Sequence, residues 1–172
     1  RGERGRVRTP VCRARTARRL SVSEARADPG RMLELLATHR VSRLIVVPSL
    51  LRAILELASV HDAAVGAGDG ALAAVLPSLR LLVTSGEALP WELAAAFFES
   101  APEGAKLLNL YGSTEVAGDV TCAEITRELV REHSLRGASD TESSVAPIGS
   151  PIANTSIYLL DPDTLASVPA GD

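Results

Sequence analysis

Aromatic residues make up only 3% of this 172-residue chain, and lysine occurs once, at Lys106, so that arginine supplies almost all of the positive charge. Two cysteines, Cys12 and Cys122, stand far apart with no C-x-x-C partner, which excludes a disulfide framework and a cysteine-rich zinc site. His39, His61 and His133 are scattered without metal-ligand spacing. No apolar run approaches the roughly 18 to 20 residues that a membrane-spanning helix needs, because Arg, Glu, Asp or Pro interrupts each one. No strand-like run leads into G-x-G-x-x-G, so a dinucleotide oxidoreductase is disfavoured, and Ser85 lacks the preceding glycine of a hydrolase nucleophile elbow. No repeat at a fixed period is visible. What is present, 46% hydrophobic and 23% charged residues with a net charge of −3, fits one globular domain.

That modest net charge hides a split. The first twenty residues carry eight Arg against one Glu, while the rest of the chain is acidic. Residues 1–21 therefore read as a basic head that is disordered or not native to the fold. Three origins compete: translation of GC-rich DNA out of frame, an organelle transit peptide, or a nucleic-acid arm. The head contains no aromatic for base stacking, so no nucleic-acid partner is expected. The compartment is left open, with the cytoplasm as the default and organellar import as the alternative. The chain starts at Arg1 and stops at Asp172 within a turn-like segment, and is expected to be a fragment.

From Asp28 onward, helical and strand-like patterns alternate. Asp28 and Pro29 cap a helix over about 30–39, and RLIVV (43–47) reads as a strand buried on both faces. PSLLRAILELASV then forms a helix with Leu50, Leu51, Ile54, Leu55 and Leu57 on one face, and HDAAVGAGDG (61–70) a surface loop. LRLLVTSGE, from 79, is a buried strand running into a Gly turn. PWELAAAFFES is a helix with Leu93, Ala96, Phe97 and Ser100 in a stripe, and KLLNLYG (106–112) a third strand. DVTCAEI (119–125) reads as a further strand, ITRELVREH as a short helix, 134–150 as a loop, and TSIYLLD (155–161) as a strand before a turn at Asp161. The predicted class is α/β, a mostly parallel sheet flanked by helices with right-handed crossovers.

In such sheets ligands bind beyond the carboxyl ends of the strands. Two segments meet that condition at one sheet edge: VTSGEALP after the strand at 79 and NLYGSTE after the strand at 106. In NLYGSTE, Ser113 and Thr114 offer phosphate donors, Glu115 a hard oxygen ligand for magnesium, and Tyr111 a flat face for a base. Local spacing alone favours an ordinary turn in which Ser113 and Thr114 act as caps.

The order TSGEALP, then NLYGSTE, then APIGSPIANTSIYLLD resembles the adenylate-forming (AMP-binding) superfamily, especially amino-acid adenylation domains of nonribosomal peptide synthetases and β-alanine-activating relatives. The likeness runs over residues 22–172, as a partial adenylation domain belonging to the family's large N-terminal domain. Ser113 departs from the Pro usual in the family's N-x-Y-G-P-T-E. The resemblance implies ATP and magnesium as cofactors, with Asn109 bonding the adenine amino group and Tyr111 stacking on the ring. Gly86, Glu87 and Ala88 would form the opposite wall beside Gly112, Thr114 would contact phosphate, and Glu115 would hold magnesium. Val83, Ser85, Leu110, Gly118 and Asp119 would line the acyl pocket. A carboxylic or amino acid would be activated as an acyl adenylate and passed to the thiol of CoA or of a carrier protein's phosphopantetheine.

The family's phosphate loop is expected upstream of residue 22, as is the aspartate that recognises an amino-acid substrate's amine. The ribose-binding aspartate and catalytic lysine are expected beyond Asp172. Lys106 opens a strand and does not replace that lysine. The chain by itself is therefore expected to be inactive, and the alternative to an enzyme fragment is a catalytically inactive remnant or interaction module of the same fold.

Overall fold

In the computed structural model, residues 28–65, 70–116, 118–136 and 144–168 are described. The basic head lies outside them. Helix α1 (Pro29–Thr38) starts as its sequence dictates: the Asp28 carboxylate accepts from the backbone N–H of Gly30 and Arg31, and Pro29 occupies the first turn. It buries Met32, Leu33 and Leu36. Strand β1 (Arg43–Val46) leads into helix α2 (Pro48–Val65), a short helix α3 (Ala71–Val75) and strand β2 (Leu81–Thr84). Helix α4 (Trp91–Ser100), strand β3 (Lys106–Ser113), a single 3-10 turn (Thr114–Val116), strand β4 (Gly118–Ile125), helix α5 (Arg127–Arg136) and strand β5 (Ser150–Pro151) follow.

The strands form one sheet in the order β1-β2-β3-β4-β5. β1, β2 and β3 are parallel, as their intervening helices predict, whereas β4 runs antiparallel to β3 and β5 antiparallel to β4. The sheet is thus mixed. The reason is local: only residues 114–117 separate β3 from β4, too little chain for the crossover that a parallel neighbour requires. The core lies on one sheet face, where Leu82, Leu107 and Ile125 pack with Leu51, Ile54, Leu93 and Phe97 from the helices. Trp91 of α4 stacks on His133 of α5 with ring centres 4.7 Å apart, and the Arg127 guanidinium lies 5.2 Å from the Phe98 ring, so α5 is pinned to α4 through side chains of mixed character.

Five expectations need correction. Helix α5 extends through Arg136, three residues into the stretch read as a loop, because Ser134, Leu135 and Arg136 contain no helix breaker before Gly137. β1 is not buried on both faces: Ile45 is 72% exposed, because β1 is an edge strand whose second face has no covering layer among the described residues. Residues 61–65 continue α2 instead of forming a loop; the sequence has no helix breaker before Gly66. Within α2 and α4 the buried stripes are rotated slightly from those read by spacing, with Ala58 taking the core place assigned to Leu57, and Ala94 and Phe98 joining Leu93 and Phe97. TSIYLLD is not a strand. Tyr158 and Leu159 are three-quarters exposed, and the one ladder contact there is an isolated Leu160–Ser167 bridge around the expected turn. β-Branched and aromatic residues favour a strand only where a neighbour pairs along it, and among the described residues the pairing is confined to this local turn. The turn itself is built by the Asp161 carboxylate, which accepts from the N–H groups of Asp163 and Thr164 and from the Thr164 hydroxyl, bonds that hold its pKa below the ordinary value.

Candidate active site

The parallel register that pairs Thr84 with Asn109 makes β2 and β3 end at the same sheet edge, so the loops after them emerge side by side. Between these loops lies a cleft of about 320 Å³ lined by Gly86, Glu87, Ala88, Leu89, Asn109, Leu110, Tyr111, Gly112, Val145, Ala146 and Ile148. The six residues singled out for a base site, Gly86, Glu87, Ala88, Asn109, Tyr111 and Gly112, are all brought together there. Tyr111 is half exposed, and Asn109 is buried at 3% exposure.

Each wall has a physical cause. Gly86 takes φ +89°, a left-handed conformation that a side chain would strain, and this turns the chain back over the sheet edge. The carboxylate of Glu87 is tied to the start of α2, accepting from the Ser49 backbone N–H at 2.9 Å and the Ser49 hydroxyl at 2.8 Å. Backbone and Ala88 are thereby left to form the wall. The opposite wall is residues 144–148. Trp91 N–H donates to the Ser144 carbonyl and Ala146 N–H to the Leu89 carbonyl, which lays this segment antiparallel along 89–91 through a Pro90–Val145 bridge. Val145, Ala146 and Ile148 were not anticipated. Their available signal was the APIGSPI stretch itself, where Gly149, at φ +78°, passes close to the Cys122 carbonyl in a way that a side chain would block.

Of the acyl-pocket candidates, Leu110 also lines the cleft. Along β2 and β3 the side chains alternate, so Val83 and Leu110 point away from the face that holds Thr84 and Asn109. A register shift between Tyr111 and Gly112 re-aims the start of β4. Asp119 there pairs with Gly112, and its carboxylate accepts a 2.5 Å hydrogen bond from the Ser85 hydroxyl. Gly118, at φ +152°, pairs with Ser113. Of the five acyl-pocket candidates, Ser85 and Asp119 are in contact, whereas Val83 pairs with Leu108 inside the sheet and Gly118 with Ser113 at the far end of β3.

Thr114 and Glu115 are exposed in the 3-10 turn that follows β3. The Ser113 hydroxyl and the Glu115 backbone N–H both bond the Glu115 carboxylate and hold its pKa below the ordinary value. A depressed carboxylate pKa means that the metal-binding, ionised form persists to lower pH. Removing the Ser113 hydroxyl in Ser113→Ala should raise that pKa, so the acidic limb of any magnesium-dependent activity should move to higher pH; a pH profile that superimposes on that of the unmodified protein would contradict the assignment. Among the described residues no group of three His, Cys, Asp or Glu side chains forms a metal cage. A single carboxylate beside a nucleotide site still suits magnesium, which keeps several waters and takes its other ligands from phosphates.

The model of the AMP-binding enzyme family matches residues 14–172. The chain belongs to the AMP-binding enzyme family. Its relatives include the β-alanyl-bioamine nonribosomal peptide synthetase ebony of Drosophila melanogaster, 39% identical over 139 residues, which cover 79% of this chain and 14% of that protein. Vanchrobactin synthetase VabF of Vibrio anguillarum is 34% identical over 152 residues, covering 88% of the chain and 5% of the synthetase. Among solved structures, the nonribosomal peptide synthetase FmoA3 in its AMPPNP-bound form superimposes with a TM-score of 0.59 at 28% identity, over 80% of this chain and 12% of that one. The chain therefore spans a small part of the curated relatives it matches, and its mixed five-stranded sheet has the fold of solved adenylation-domain structures. Among the described residues no helix is long and apolar enough to cross a membrane.

Proposed function

We propose that this chain supplies the nucleotide wall and part of the acyl pocket of an ATP-dependent enzyme that activates an amino acid as its adenylate and passes it to a carrier-protein thiol. The observation that carries the reading is the cleft between the β2 and β3 loops, with Tyr111 and Asn109 on one side, Gly86 and Ala88 on the other, and Thr114 and Glu115 immediately beyond. A purine fits such a slot between an aromatic face and backbone, and a triphosphate continuing past Gly112 would reach Thr114 and Glu115. The AMPPNP complex of FmoA3 and the amino-acid-handling synthetases among the relatives support nucleotide and substrate alike.

In the reaction a substrate carboxylate oxygen bonds to the α-phosphorus of ATP, the bond from that phosphorus to the bridging oxygen breaks, and pyrophosphate leaves with the electron pair. A thiolate then attacks the acyl carbon and AMP departs. The residues here do no covalent work. Tyr111 and Asn109 would hold the base, Thr114 would donate to phosphate, and Glu115 would hold magnesium, which would supply charge stabilisation for the phosphates, so rate would come from positioning and charge stabilisation. The test is exchange of radiolabelled pyrophosphate into ATP by the full-length protein with a panel of amino acids and plain carboxylic acids. Exchange that depends on an amino acid supports the reading, and no exchange with any acid, in protein shown to be folded, overturns it.

Asp119 bears on which acid is chosen. Ser85 occupies one carboxylate oxygen and leaves the other to meet a cationic group, such as the amine of an amino acid. Asp119→Ala in the full-length protein should lower the preference for amino acids over plain carboxylic acids of similar length by about tenfold. An unchanged ratio of kcat/KM values would show that Asp119 has no part in substrate choice.

A further inference from the structure

Thr84 lies between the pocket candidates Val83 and Ser85, and nothing in the sequence singles it out, yet it is fully buried and its hydroxyl is engaged. Its Oγ1 donates toward Asn109 Oδ1 at 3.1 Å, with the Leu108 carbonyl as a second acceptor at 3.3 Å. At the other end of the same amide, Asn109 Nδ2 donates to the Pro147 carbonyl at 3.0 Å. A carbonyl oxygen can only accept, so Pro147 fixes which end of the amide faces it. Thr84 pins the oxygen end. The Asn109 side chain is thus held at both ends, between β2 and the 144–148 wall, with one lone pair on Oδ1 and one N–H on Nδ2 unused.

We propose that Thr84 is a positioning residue for base recognition: it clamps the Asn109 amide so that a fixed acceptor and a fixed donor face the cleft in an order that matches adenine and not guanine. This rests on the nucleotide-site reading above. Adenine presents its exocyclic amino group as donor beside a ring nitrogen acceptor. Guanine carries an oxygen acceptor where adenine has the amino group and a protonated ring nitrogen next to it, the reverse order on that edge. A held amide discriminates between these patterns, whereas an amide tethered only through Pro147 is free to swing and does so poorly.

The experiment compares Thr84→Val and Thr84→Ser in the full-length protein by pyrophosphate exchange, with ATP and with GTP as the nucleotide. Valine keeps the buried shape and removes the hydroxyl; serine keeps the hydroxyl. Thr84→Val is expected to raise KM for ATP about tenfold with little change in kcat, to leave the weak use of GTP unchanged, and so to reduce the ratio of ATP to GTP use about tenfold. Thr84→Ser should restore the ratio. A ratio unchanged in Thr84→Val, or both nucleotides losing equally, would overturn the clamp, since a purely structural defect lowers both together. Wild-type protein that binds neither AMPPNP nor ATP while folded would instead overturn the nucleotide site itself, which separates the two failures.

Discussion

Glu115→Gln in the full-length protein is expected to slow adenylation by about a hundredfold and to raise the magnesium concentration needed for half-maximal rate. The side chain is exposed on a 3-10 turn, so the substitution should leave folding intact. The Ser113 hydroxyl and the Glu115 backbone N–H hold its pKa below the ordinary value, so the ionised state a hard cation requires persists to lower pH. Glutamine preserves the shape but offers a neutral oxygen, so the loss isolates charge from geometry. Pyrophosphate exchange measured across a magnesium titration checks this, and wild-type rate with wild-type magnesium dependence would remove Glu115 from the metal site.

Gly112→Ala should produce the largest loss of stability of any change in the cleft, roughly 3 kcal/mol. Gly112 pairs with Asp119 beside the register shift in β3–β4, and a Cβ built there would overlap the Gly118 carbonyl and the Asp119 backbone. Backbone cannot rotate aside as a side chain can, so β3 and β4 would have to separate at the point where the base slot and the Ser85–Asp119 bond meet. Urea unfolding monitored by circular dichroism reads the difference, and a midpoint unchanged with an unchanged slope would show that the strands can part without cost.

How far these features were legible in the sequence depended on the range of the forces behind them. Asp28, Pro29 and the apolar spacing of Met32, Leu33 and Leu36 dictate α1 within a single turn, and α5 was readable as a helix but not in its extent, since it runs through Arg136 into the stretch read as a loop. The β2-α4-β3 unit followed from alternating runs, and with it the convergence of VTSGEALP and NLYGSTE, because parallel strands joined by a crossover must end at one edge. What depends on a distant partner was not legible. Nothing in RLIVV says that β1 is an edge strand, and nothing in TSIYLLD says that its pairing among the described residues will be confined to one local bridge. The direction of the Glu87 carboxylate is set by Ser49, thirty-eight residues away, and Thr84 acquires its place only through Asn109 and Pro147. The bulge that carries Asp119 to Ser85 is equally invisible to a pattern of period two.

The most direct test of the account is photolabelling of the full-length protein with azido-ATP, followed by peptide mapping. The cleft between the β2 and β3 loops predicts labelling at 86–89, 109–112 or 145–148, suppressed by excess ATP and by formation of the aminoacyl adenylate. ATP-protectable labelling confined to other residues, in protein that exchanges pyrophosphate, would contradict it.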